Sequence, residues 1–243
     1  MLRKIRSFVR RDGRMTEAQR LAFTHLWPQF GLSEKNGLLS FATLFQREAP
    51  LVFEIGFGSG QSLLAAAKQH PDWNFIGVEM HKPGIGALLL HMHEQQVSNI
   101  RIFYADAVEV LENAIADASL DIVQIFFPDP WQKRKHHKRR LIQPVFVEKL
   151  ANKLKPNGIL YLATDWEDYA MQMMRVLSAE KKLINTAGTG KFASRSEQRP
   201  IATKFEKRGE RSGRAIWELC FYNTIRVDAE VSSLYNEQQD GIT

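Results

Sequence analysis

The fold turns on one stretch: Leu51-Val52-Phe53-Glu54-Ile55-Gly56-Phe57-Gly58-Ser59-Gly60. A nearly unbroken apolar run leads straight into three glycines spaced two apart. An apolar run of this length reads as a strand buried on both faces. The glycines let the chain turn sharply and let a ligand come close to the backbone. Residues 62–69, rich in leucine and alanine, then read as a helix stopped at His70-Pro71. Strand, glycine turn and helix in that order open a βαβ unit.

The same alternation continues downstream. Strands are expected at 74–79, 100–104, 120–127, 159–163 and 215–222, and helices at 86–96, 108–115, 144–154 and 167–178. Lys155-Pro156-Asn157-Gly158 reads as a turn. Strands and helices alternating at this spacing predict an α/β protein, its mostly parallel sheet covered by helices on both faces. Residues 1–40 read as a basic arm without sustained periodicity, 41–226 as the folded domain and 227–243 as a polar tail.

Composition narrows the class. The 243 residues are 44% hydrophobic and 25% charged, as in ordinary globular chains. No apolar run is long enough to span a bilayer, so no membrane association is expected. The basic start Met1-Leu2-Arg3-Lys4-Ile5-Arg6 lacks the apolar stretch of a secretory signal. The single cysteine, Cys220, excludes an internal disulfide and a cysteine zinc cluster. His91 and His93 are two apart on a predicted helix and do not share a face, so no metal is expected. The net charge of +6 hides strong segregation. Residues 1–20, 132–140 and 191–214 carry +5, +6 and +5, which leaves −10 on the rest. An acidic body with three basic segments suggests a polyanionic partner, here a nucleic acid.

In a parallel sheet of this kind ligands bind outside the carboxyl ends of the strands. The first strand ends in Gly56, Gly58 and Gly60, a G-x-G-x-G loop. The dinucleotide fingerprint has its third glycine or alanine one place later, where Gln61 stands. Glu79 ends the second strand, where a carboxylate accepts from ribose hydroxyls and would repel a 2′-phosphate. Asp106 follows the third strand, placed to hold an adenine amine or to cap a helix. These strand ends together favour an adenosine cofactor. The fourth strand ends in Phe127-Pro128-Asp129-Pro130-Trp131, a rigid turn around one aspartate suited to a base with N–H donors. Basic residues that can grip phosphates follow at once, from Lys133 to Arg140. The fifth strand ends in Thr164-Asp165-Trp166. Residues 194–206 read either as a link or as a substrate loop.

These segments resemble the bacterial tRNA (guanine-N7-)-methyltransferases. The resemblance rests on residues 54–60, Val78-Glu79, Ala105-Asp106-Ala107, the Pro-Asp-Pro-Trp turn with its basic run, Ala163-Thr164-Asp165-Trp166 and Thr203-Lys204-Phe205-Glu206. The glycine loop is common to most Rossmann-like methyltransferases, whereas the later motifs in this order are specific. The resemblance implies a class I fold with a seven-stranded, mostly parallel sheet, S-adenosylmethionine as cofactor, a guanine in the tRNA variable loop as target and a cytoplasmic location. It implies that Glu54, Gly56, Gly58, Gly60, Glu79 and Asp106 bind the cofactor. Asp129 would lie where cofactor and guanine meet and act as the catalytic residue. Lys133, Asp165 and Thr203, Lys204, Phe205 and Glu206 would contact the guanine or its nucleotide. Lys135, His136, His137, Lys138, Arg139 and Arg140 would contact the RNA. The residues alone leave two rivals: a methyltransferase acting on DNA or protein amines, and a non-catalytic RNA-binding or NAD-linked protein with the same sheet.

Overall fold

The computed structural model describes residues 13–196, 199–202, 206, 209 and 212–224. Eight strands form one sheet among these residues: β1 (Gly31–Leu32), β2 (Leu51–Ile55), β3 (Asn74–Val78), β4 (Ile100–Phe103), β5 (Leu120–Phe126), β6 (Leu154–Thr164), β7 (Leu183–Asn185) and β8 (Trp217–Asn223). Their order is β1-β4-β3-β2-β5-β6-β8-β7. All neighbours run parallel except at β8, which is antiparallel to both β6 and β7. The seven implied strands are present, and the two-residue β1 adds an eighth at the edge.

The central strands are buried because both faces are covered. Leu51, Phe53 and Ile55 of β2 pack with β5 and with helices α5 (Ala107–Asn113), α6 (Pro144–Lys153) and α7 (Glu167–Ala179). Val52 of β2 points the other way, into a second core with α1 (Glu17–Phe30), α3 (Gln61–Gln69) and α4 (Lys82–Glu94). A short helix, α2 (Phe41–Phe45), flanks the first core. The chain leaves β2 toward β3 and β4, then crosses back to place β5 on β2's other side. The strand order therefore reverses between β2 and β5, which opens a crevice at their carboxyl ends.

Two expectations differ from the structure. The stretch 13–40 is not a bare arm: Thr16 and Gln19 form a reciprocal capping box, and α1 packs against the core through Ala22 and Phe30. The threonine-to-glutamine spacing is the signal that a search for apolar periodicity passes over. Residues 155–158 are not a turn between elements. They form an irregularity inside β6, exposed at Pro156 and Asn157, with the register shifting opposite Leu120 and Ile122 and Asn157 at φ 63°. Residues 1–12 and the expected tail, 227–243, lie outside the described residues.

Candidate active site

A cavity of about 320 Å³ opens where β2 and β5 diverge. Gly56, Gly58, Glu79, Asp129, Trp131 and Arg139 line it, over an apolar floor that includes Ile55, Ile125 and Leu141. A second hollow of about 310 Å³ lies on the other side of the glycine loop. It shares Gly56, Gly58, His81, Phe126 and Phe127 with the first and adds Glu54 and Gln19.

The glycine loop is fixed from behind. Gly58 has φ +61°, and nothing stands within 4 Å of where a Cβ would project, so the loop leaves room for a ligand. On its other side a Cβ at Gly84, in α4, would collide with the Gly58 carbonyl oxygen. Gly60 has φ +74° and caps α3 without lining the cavity. Glu79 ties the loop down: Gly58 N–H donates to its Oε2 at 2.7 Å, and Met80 and His81 N–H groups donate to Oε1 at 2.7 and 2.9 Å. Burial raises the Glu79 pKa despite these three donors. Glu54 is buried on β2, and burial together with the charge of Glu79 pushes its carboxyl up to about 8. Asp106 accepts from Val108 N–H at 2.9 Å and caps α5, while its neighbours Ala105 and Ala107 face the cavity. An adenosine-type cofactor fits this arrangement: open backbone at the glycines, an acid at the next strand end, and apolar walls between.

The loop after β5 carries the aspartate. Phe127 and Trp131, on either side of Asp129, have φ +51° and +46°, a left-handed conformation that costs a non-glycine residue roughly 1–3 kcal/mol. Such strain persists only where neighbours enforce it. Phe127 N–H donates to Ala163 O at 2.8 Å. Arg140 Nε donates to Pro130 O at 2.8 Å, and the Arg139 guanidinium lies 5.0 Å from the Trp131 ring centre. The Asp129 carboxylate, by contrast, takes no hydrogen bond from any described residue and faces the cavity.

The basic run divides in two. Lys133 stands just before a 3-10 helix (Arg134–Arg139), where Lys135, Lys138 and Arg139 are exposed. Arg140 corrects the sequence expectation: it is 1% exposed, so its side chain is not an RNA contact. Its guanidinium donates to Pro130 O, to Gln172 Oε1 at 2.6 Å and to Asp168 Oδ2 at 2.6 Å, and lies over the Tyr169 ring. That hydrogen bond holds the Asp168 carboxyl below its usual range. His137 turns toward the same cluster, with Nε2 3.0 Å from Arg140. His136 meets Trp131 edge-on, and desolvation together with the four cations around it lowers its pKa.

On the other flank, Asp165 is half-buried and paired with Arg214, Nη1 to Oδ2 at 2.5 Å. Thr203, Lys204 and Phe205 lie outside the described residues. Glu206 is 2% exposed and bonded to Arg199 at 2.5 Å, so its carboxylate is buried in an ion pair instead of reaching a base. Sequence reasoning missed Gln19, Asp168, Arg199, Arg214 and Glu218. Each is an ordinary polar residue in sequence, and only folding gives it a buried partner or a place at the cavity.

A sheet with one antiparallel strand, helices on both faces and a glycine-loop cavity at the strand reversal defines a Rossmann-like, class I methyltransferase fold. The 16S rRNA methyltransferase KamB shares it, with TM-score 0.56 at 14% identity, covering 76% of this chain and 93% of that one. The aminoglycoside resistance methyltransferase NpmB1 superposes with TM-score 0.53 at 14% identity, over 79% and 94%. A family model described as "Putative methyltransferase" matches residues 48–219. The chain is 51% identical over 220 residues to a tRNA (guanine-N(7)-)-methyltransferase of Idiomarina loihiensis, covering 90% of this chain and 89% of the relative. It is 52% identical to that of Alcanivorax borkumensis, covering 91% and 92%. The chain belongs to the tRNA (guanine-N(7)-)-methyltransferase family and is a methyltransferase.

Proposed function

We propose that this protein transfers the methyl group of S-adenosylmethionine to N7 of a guanine in the variable loop of tRNA. When bound, the cofactor supplies an electrophilic methyl group on a positively charged sulfur. Glu79 accepts from the ribose hydroxyls, Gly56 and Gly58 let the cofactor lie against backbone, and Glu54 offers a negative charge near its cationic end. Asp106, Ala105 and Ala107 border the adenine. Guanine N7 carries a free lone pair, so none of these residues has to remove a proton, and catalysis is chiefly positioning. Asp129 offsets the positive charge that moves onto the base as N7 is methylated. Asp165 and the segment ending at Glu206 hold the base, and Lys133, Lys135, Lys138 and Arg139 hold the phosphates around it.

The observation that carries this reading is the Asp129 carboxylate: it lines the cavity without a hydrogen-bond partner among the described residues, on a strained loop clamped from both sides. The family relatives supply the acceptor class, and the absence of a third fingerprint glycine at Gln61 favours the methyl donor over NAD. The test is incubation with labelled S-adenosylmethionine and unmodified tRNA, followed by nucleoside analysis. Label in 7-methylguanosine is expected, and Asp129→Asn should lower its rate roughly 100-fold or more. Label in another nucleoside, or in protein only, would replace this acceptor with another.

A further inference from the structure

On the sheet face made by β5, β6 and β8, on the side away from α6 and α7, Arg199 and Glu206 pack against Glu218 of β8. Three charged side chains are sealed there: Arg199 at 1% exposure, Glu206 at 2% and Glu218 at 5%. The guanidinium bridges the two acids. Nη1 donates to Glu206 at 2.5 Å, and Nη2 donates to Glu218. The Tyr161 hydroxyl, from β6, donates to the other oxygen of Glu218 at 2.5 Å and accepts from Ser196 N–H at 2.7 Å. The central carbon of the same guanidinium lies over the Phe126 and Phe127 rings, 5.4 and 5.7 Å from their centres.

A buried ion network is a poor device for stability, because apolar residues of the same volume do as well or better. It does fix geometry, since a planar fork satisfies two carboxylates in only one arrangement. The three things fixed here are Glu206, the start of β8 at Glu218, and the aromatic pair that precedes Asp129. Phe126 and Phe127 wall both hollows of the site, and Phe127 is one of the two strained positions beside Asp129. We propose that Arg199 is a positioning residue for methyl transfer: it sets the separation between Glu206 and the Asp129 loop without touching cofactor or base. The inference rests on the methyl-transfer reading given above.

Two variants test it, each assayed beside the wild type for S-adenosylmethionine affinity by calorimetry, tRNA KM, kcat and melting temperature. Arg199→Lys keeps the charge and loses the fork and the stacking face. Its kcat should fall roughly 100-fold, the scale of a misplacement of about 1 Å, with cofactor affinity and tRNA KM within about threefold of wild type. The combined variant Arg199→Met, Glu206→Met and Glu218→Gln removes the buried charges together, puts apolar side chains of like size in place of the first two and keeps an acceptor for the Tyr161 hydroxyl. It should melt at or above the wild-type temperature yet keep the low kcat, which a purely structural role would not produce. Wild-type kcat in either variant would overturn the proposal, as would a parallel loss of cofactor affinity. If the wild type itself forms no 7-methylguanosine, the methyl-transfer reading falls and takes this role with it. An active wild type matched by its variants overturns the positioning role alone.

Discussion

Glu54 is an acid whose environment opposes its charge. Its carboxyl is raised to about 8 by burial first and by Glu79 second. A carboxyl that keeps its proton longer when folded favours the folded state below the ordinary carboxylate range, and that contribution is lost as pH rises toward about 8. Glu79 is shifted in the same direction. The unfolding midpoint of the free protein should therefore fall between pH 5 and 8, and Glu54→Gln should flatten that fall. A cationic cofactor selects the ionised carboxylate, so its binding should strengthen with pH over the same window, by up to about tenfold per unit. Calorimetry at pH 6, 7 and 8 checks this, and an equal slope in Glu54→Gln would remove Glu54 from the effect. Arg140 teaches the complementary lesson. The six cations between Lys133 and Arg140 look alike in sequence, yet the chain turns into the core at Leu141-Ile142, and Arg140 goes in with it. Arg140→Ala should cost about 1–3 kcal/mol in lost buried hydrogen bonds, or roughly 4–8 °C in Tm for the middle of that range. The salt dependence of tRNA binding should not change. Arg139→Ala should do the reverse, and a swap of these outcomes would return Arg140 to the RNA surface.

At the scale of elements, long and strongly patterned segments were legible and short or capped ones were not. β2, β3 and β5 announce themselves because burial on both faces leaves them almost wholly apolar. β1 and β7 have two and three residues, too few for any period, and are held only by their neighbours. α1 is masked by its charged and polar residues and by Pro28, and its clearest mark is the capping box. Thr16→Ala should cost about 1 kcal/mol, a loss of roughly 2–4 °C in Tm. An unchanged Tm would show that packing on α4 alone sets this helix. The 3-10 helix from Arg134 to Arg139 is an exposed cationic element beside the cavity. Replacing Lys135, Lys138 and Arg139 together by glutamine should reduce the slope of log affinity against log salt by about 2–3 for tRNA. Cofactor affinity should stay constant. A slope that does not move would make this helix a solvated surface.

Across the whole molecule the two halves of the sheet divide the work. The half built on β2, β3 and β4 carries the glycine loop and Glu79; the half built on β6 and β8 carries Asp165 and the buried Arg199 network. Asp129 stands on the loop between them. The first half was legible because glycine and acid at strand ends form a local pattern. The second was legible only in part, because Arg214 and Arg199 meet their acids across 49 and 19 residues of chain. That pairing bears on how guanine is told from adenine. Arginine usually reads guanine through O6 and N7, a mode closed here because N7 must face the methyl group. The remaining marks are the N1–H and 2-amino donors, which call for an acceptor on a base splayed out of the stack. Arg214 holds Asp165 through Oδ2, and Oδ1 takes no hydrogen bond from the described residues, so that oxygen is oriented to accept. Inosine in place of the target guanine lacks the 2-amino group and should lower kcat/KM about tenfold or more, since a site acceptor loses its partner. The Arg214→Ala enzyme should discriminate less between the two bases. With 7-deazaguanine the donors remain and the nucleophile is gone, so binding should be close to normal and transfer abolished. Equal turnover of inosine and guanine would take Asp165 out of base recognition, and methylation of 7-deazaguanine would show that the acceptor atom is not N7.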